Sequence, residues 1–163
     1  MLKKASFFTI FALLPSALFG MVTDSQSLLN HIRTELHVLK RAWNTARIQI
    51  KMAEKSSPVL YQQVKPIFEQ ITSSTSFTQR INDMVDEQFN AIVNNYMTIN
   101  QVKTDIKLSD FFPHLTMHSF GQNLFSAMAR KYYYLRLAEK LANKIRELQQ
   151  VIILQSTQPS LQA

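Results

Sequence analysis

The sequence predicts an all-α fold, and three observations carry that prediction. Between Asp24 and Lys55 the apolar residues Leu29, Ile32, Leu36, Leu39, Trp43, Ala46, Ile50 and Ala53 recur at alternating steps of three and four. That spacing places them on one face of an α-helix. The chain holds only two glycines, Gly20 and Gly121, and no Asn-Gly or Asp-Gly hairpin turn. Hydrophobic residues make up 46% of its 163 residues and charged ones 18%. That is enough apolar material for one packed domain.

Residues 1–20 differ from the rest. Lys3 and Lys4 precede an apolar or small-residue run, Ala5–Leu14, which Pro15 and Ser16 interrupt. Leu18-Phe19-Gly20 then ends in a small residue. This is the layout of a secretory signal peptide cut after Gly20. An uncleaved anchor over residues 1–22 is the alternative, because apolar character continues to Val22. Removing Lys3 and Lys4 from 18 basic residues leaves 16 against 11 acidic ones, a net charge of +5. The expected location is therefore periplasmic or extracellular. Cysteine is absent, so no disulfide supports the fold and no thiol offers a lipid or c-type haem attachment point.

The first helix of the domain (residues 21–155) is expected to start at a cap provided by Thr23 or Asp24 and to end near Glu54-Lys55. From Asp24 it would be roughly 45 Å long. Ser57-Pro58 suits the start of a second helix carrying Val59, Leu60, Val64, Ile67, Phe68 and Ile71. Pro66 inside it should kink or split it. After Ser73–Ser76, a third helix is expected from about Phe77 to Lys107. Its stripe is Ile81, Met84/Val85, Phe89, Ile92, Tyr96, Ile99, Val102 and Ile106. It is rich in asparagine, a mediocre helix former, and so depends on packing.

Residues 108–122 are irregular. Asp110 could cap a short helix around Pro113, and Gly121 suggests a bend or a positive φ. A last helix is expected from about Gln122 to Leu154, with Leu124, Met128, Leu135, Ala138, Leu141/Ala142, Ile145, Leu148 and Ile152 facing inward. Residues 156–163 form a polar tail containing Pro159. Three long helices and one short, proline-broken helix joined by short loops read as an elongated antiparallel bundle. The heptad spacing would also suit a coiled coil with another chain.

Chemical motifs are few. No Gly-rich phosphate loop, Gly-x-Ser-x-Gly elbow, HExxH element or inward carboxylate pair occurs, so no enzyme is expected. His114 and His118 stand at i,i+4, a metal-ligand spacing on a helix, with Asp110 four residues before. Met84, Met128 and the histidines would supply axial ligands if a haem sat in the bundle. Methionine on an apolar stripe is more often core filler, and no cofactor is expected. Two features point to partners. Phe111, Phe112, Leu115, Met117 and Phe120 either fold back over the bundle end or form an exposed apolar tip. Arg136, Lys140 and Lys144 recur at i, i+4 and i+8 on the last helix, preceded by Arg130 and Lys131. Arg33, Lys40, Arg47, Lys51 and Lys55 flank the first stripe. Like charges at that spacing either face an anionic partner or form a solvated face. For an exported protein the expected partners are other envelope proteins or an acidic membrane surface, not nucleic acid.

The junction Gly20-Met21-Val22-Thr23-Asp24, followed by Leu28-Leu29, Ile32 and a long amphipathic helix, resembles the start of the minor pilus-tip proteins of type IV secretion and conjugal transfer systems. Those mature chains open with a small residue, a Val-x-Asp element and a heptad-like helix. The resemblance covers residues 21–50. It implies an exported, non-enzymatic helical subunit that binds other secretion proteins.

Overall fold

A computed structural model describes residues 14–101, 106–107, 109, 113–114 and 117–158, with the backbone alone for 14–23. The fold is all-α, with no strand among the described residues. Four helices, α1 (Leu14–Ser56), α2 (Pro58–Thr72), α3 (Thr75–Asn95) and α4 (Ser119–Thr157), share one apolar core.

The first stripe faces inward as its spacing requires. Leu29, Ile32, Leu39 and Ala46 are buried, and Leu36, Trp43, Ile50 and Ala53 are half-buried. The expected cap at Thr23 or Asp24 is overturned, because α1 runs uninterrupted back to Leu14. Pro15 fits there because a proline in the first turn loses no intrahelical bond.

α2 starts with Pro58 in its first turn, but Ser57 makes no side-chain capping bond. Pro66 does not split it, and the helix continues to Thr72. Gln62 and Pro66 are both exposed, so water can replace the missing N–H donor. Val64 and Ile71 reach the core, whereas Val59, expected on the stripe, is exposed.

α3 is properly capped, with Ser74 Oγ accepting from the Phe77 N–H. It carries Phe77, Ile81, Val85 and Ile92 into the core. Its expected extension to Lys107 is wrong. The helix stops at Asn95, Tyr96 turns left-handed (φ 52°), and a 3₁₀ turn follows at Ile99–Gln101. The N–H groups of Tyr96 and Met97 both reach back to the Ala91 carbonyl and close the end of the helix. A non-glycine residue at that φ costs roughly 1 kcal/mol or more, and contacts from α1 described below offset it.

α4 begins at Ser119, three residues earlier than expected, and ends at Thr157. Its first half buries more than one face, with Gly121, Leu124, Phe125, Ala127, Met128 and Ala129 all enclosed while Phe120, Gln122 and Asn123 stay exposed. Gly121 takes no positive φ and makes no bend. Its role is space: a Cβ there would sit 2.6 Å from both Cγ and Sδ of Met117. Leu135, expected inside, is exposed, and Tyr133 and Leu137 fill the core instead. The rings of Phe68 on α2, Phe77 on α3, and Phe125 and Tyr132 on α4 pack edge-on or tilted with centroids 5.7–6.0 Å apart.

α1 and α4 form the main helix pair. Across it, Arg130 reaches Gln49 and Lys131 lies over Trp43. Trp43 Nε1, Gln155 Oε1 and the Gln88 amide are buried polar groups with no hydrogen-bond partner among the described residues. Gln88 is 1% exposed, and both its amide nitrogen and its oxygen are unmatched there.

Candidate functional site

Three places bring chemically active or exposed side chains together. The first joins α1 to the turn after α3. His31 and Glu35 are one helical turn apart on α1. The Glu35 carboxylate, 4% exposed, accepts from the Ile99 N–H at 2.8 Å. His31 Nε2 donates to the Met97 carbonyl at 3.2 Å, and its ring lies 5.1 Å from that of Tyr96. Together they hold the left-handed residue and the 3₁₀ turn. Nothing in the sequence pattern marked Glu35, because its partner is a backbone group 64 residues away.

The second is a groove of ≈ 430 Å³ between α1, α2 and the start of α4. Ala53, Leu60, Leu124 and Ala127 supply its apolar wall, and Gln49, Asn123 and Arg130 its polar rim. Phe120 stands at its edge, 68% exposed. Val59 and Met52 nearby in sequence to the lining residues are exposed too.

The third is the pair of basic surfaces. On α4 each expected basic residue has a partner inside the protein. Arg136 donates to the Tyr132 hydroxyl and lies over its ring. That hydrogen bond and the charge of Tyr132 push the guanidinium pKa further up. Lys140 pairs with Asp86 on α3 and lies 4.7 Å from the Phe89 ring centre. Lys144 pairs with Glu147 at 3.3 Å. Arg130 bonds Ser126 and Gln49, and Arg146 bonds Asn143. Beneath this row, burial pushes the Tyr133 phenol well above its ordinary pKa, with Tyr134 and Glu87 adding to the shift.

On α1 the basic side chains are exposed and mostly unengaged. Arg47 bonds Asn44 and lies over Trp43. Among the described residues no hydrogen bond, ion pair or ring contact engages the side chains of Arg33, Lys40, Arg41, Lys51 or Lys55.

The other expected site residues are scattered. Phe111, Phe112, Leu115 and Asp110 lie outside the described residues. Met117 is half-buried against the core. His114 sits exposed in a turn and His118 occupies the residue before α4. Neither histidine is in a helix, and residues 115–116 between them lie outside the described residues. The His118 ring instead stacks on Phe120, with centroids 5.7 Å apart and planes 10° from parallel. Met128 is buried and Met84 half-buried in the common core. Among the described residues, no three His, Cys, Asp or Glu side chains gather around a common metal position. No described helix is long and apolar enough to cross a membrane.

Compared with known protein families, characterised proteins and solved structures, the chain matches none.

Proposed function

We propose that this chain is an exported, non-enzymatic helical protein of a bacterial-type envelope. It works by holding partner proteins on its helical surfaces, as a subunit of a secretion or conjugation assembly would. In this reading residues 1–20 direct export, and residues 21–155 are an elongated antiparallel bundle. Cleavage after Gly20 would shorten α1 without removing any residue of its apolar stripe.

The observation that carries the reading is the exposed Phe120 ring beside an apolar-walled groove. A large aromatic left in water next to a concave surface is the arrangement found where a partner's side chain seats. The His118 ring stacks on Phe120. The resemblance at residues 21–50 supplies the context of an assembly, and the long helices suit docking against other helical subunits.

The test places a photo-crosslinking amino acid at Phe120 in the cells that make the protein. Fractionation, intact mass and N-terminal sequencing accompany it. The reading expects a chain starting at Met21 in an envelope or extracellular fraction. It also expects one discrete crosslinked species, which Ala53→Glu abolishes while leaving helicity unchanged. A chain that keeps Lys3 and Lys4 makes residues 1–22 an anchor. A discrete species that survives Ala53→Glu, or the absence of any species, removes the groove as a docking site.

A further inference from the structure

We infer that the outer face of α1 is a docking surface for an anionic membrane. The face is a continuous row on one helix. Arg33, Lys40 and Lys51 are separated by about two and three turns, so they point to nearly one side. Arg41, Ile48, Met52 and Lys55 form the adjoining stripe. From Arg33 to Lys55 the surface is about 33 Å long.

Two features set it apart from an ordinary solvated helix face. The first is the missing acid. Between Asp24 and Glu54 the only carboxylate on α1 is Glu35, which is buried and committed to the Ile99 N–H. The field of the row is therefore not cancelled along its own helix, and none of its five free cations has an ion-pair partner among the described residues. The second is the apolar content. Ile48 is 47% exposed and Met52 64% exposed, within the charged stripe and not behind it. A purely polyanionic partner would satisfy the cations but leave these two side chains in water. A lipid surface satisfies both. Headgroup phosphates meet the Lys and Arg ends, whose stems lie along the surface, and Ile48 and Met52 enter the acyl boundary. The shape agrees, since the face is the convex outside of one helix and the groove opens elsewhere. This inference is independent of the groove beside Phe120.

The experiment is co-sedimentation of the full chain with vesicles of equal phosphatidylglycerol and phosphatidylcholine, and with phosphatidylcholine alone, across a salt series. Binding is expected only to the anionic vesicles and should fade as salt rises. Arg33→Gln, Lys40→Gln and Lys51→Gln combined should weaken it on the order of 100-fold, at roughly fivefold per charge removed. The matched triple on α4, Arg136→Gln, Lys140→Gln and Lys144→Gln, should weaken it no more than one α1 charge does. Because the chain has no cysteine, Met52→Cys and Glu139→Cys each give a unique position for an environment-sensitive dye. Only the dye at position 52 should shift to the blue on binding. Equal losses for the two triples would reduce the effect to net charge and overturn the assignment. So would equal binding to phosphatidylcholine alone. Binding to soluble polyglutamate but not to anionic vesicles would assign the face to an acidic protein instead.

Discussion

α1 and α4 are the two longest helices, they pack against each other, and both carry regularly spaced lysines and arginines. Seen from the core they are equivalent. Seen from solvent they are opposites. On α4 the row Arg136, Lys140 and Lys144 is consumed inside the molecule by Tyr132, Asp86 and Glu147. On α1 the cations Arg33, Lys40, Arg41, Lys51 and Lys55 project without partners among the described residues, and the one nearby acid is buried. A row of like charges at helical spacing therefore says nothing about availability by itself. Availability depends on what neighbouring helices bring up to it. α3 brings Asp86 and Phe89 to α4, and no described element brings an acid to the α1 row.

The largest effect should come from the face on which the two helices agree. Leu39 on α1 and Leu137 on α4 are both fully buried. Leu39→Ala and Leu137→Ala should each cost about 2–5 kcal/mol, the transfer free energy of the lost atoms plus the cavity left behind. Urea unfolding followed by circular dichroism measures both. If either variant unfolds within about 1 kcal/mol of the parent, that helix does not contribute to a shared core, and the equivalence fails.

The two helices also differ in how readily their placement could be read from the chain. The α1 stripe is clean because one side of that helix is solvated along the Asp24–Lys55 stretch. Every residue of the stripe from Leu29 to Ala53 turned inward, while Ile48 and Met52, which lie off the stripe, are exposed. α4 gives no such contrast. Its first half packs against three other helices, so Leu124, Phe125, Ala127, Met128 and Ala129 are buried on different sides. Periodicity cannot then choose between Leu135 and Leu137. The end of α3 was hidden for another reason. Tyr96, Ile99 and Ile106 continue the helical spacing, and Ile99 and Ile106 are indeed buried. Ile99 reaches the core from a turn, because His31 and Glu35 offer polar partners to a backbone that has left the helix. The candidate sites were the least readable part. The Lys140–Asp86 pair spans 54 residues, and no local pattern encodes a contact at that distance. Only Phe120, among the aromatics singled out at the tip, is both described and exposed.

The next effect in size tests what α1 does that α4 does not. α1 spends its one buried carboxylate on a backbone N–H of another element. Glu35→Ala would leave the Ile99 N–H buried without an acceptor, and should cost about 1–3 kcal/mol. Glu35→Gln keeps an acceptor oxygen and should recover much of that loss. Hydrogen exchange at Ile99 should rise in the alanine variant ahead of exchange in α4. Unchanged stability together with unchanged exchange would mean that the turn stands without α1.

The smallest effect bears most directly on the difference between the outer faces. Lys140→Gln breaks an exposed ion pair with Asp86, both side chains being about half in water. Such pairs contribute about 1 kcal/mol or less, and salt screens them. Lys40→Gln breaks no described contact, so its cost should stay within about 0.5 kcal/mol at any ionic strength. The salt dependence separates the two better than the magnitude does. The Lys140 variant should converge on the parent as salt rises, and the Lys40 variant should run parallel to it throughout. Affinity for anionic vesicles should rank them the other way, with Lys40→Gln weaker than Lys140→Gln. A charge that stabilises the fold is already spent on an internal partner, whereas a charge that does not remains free to bind an external one. If one variant lost both stability and vesicle binding, that division between α4 and α1 would collapse.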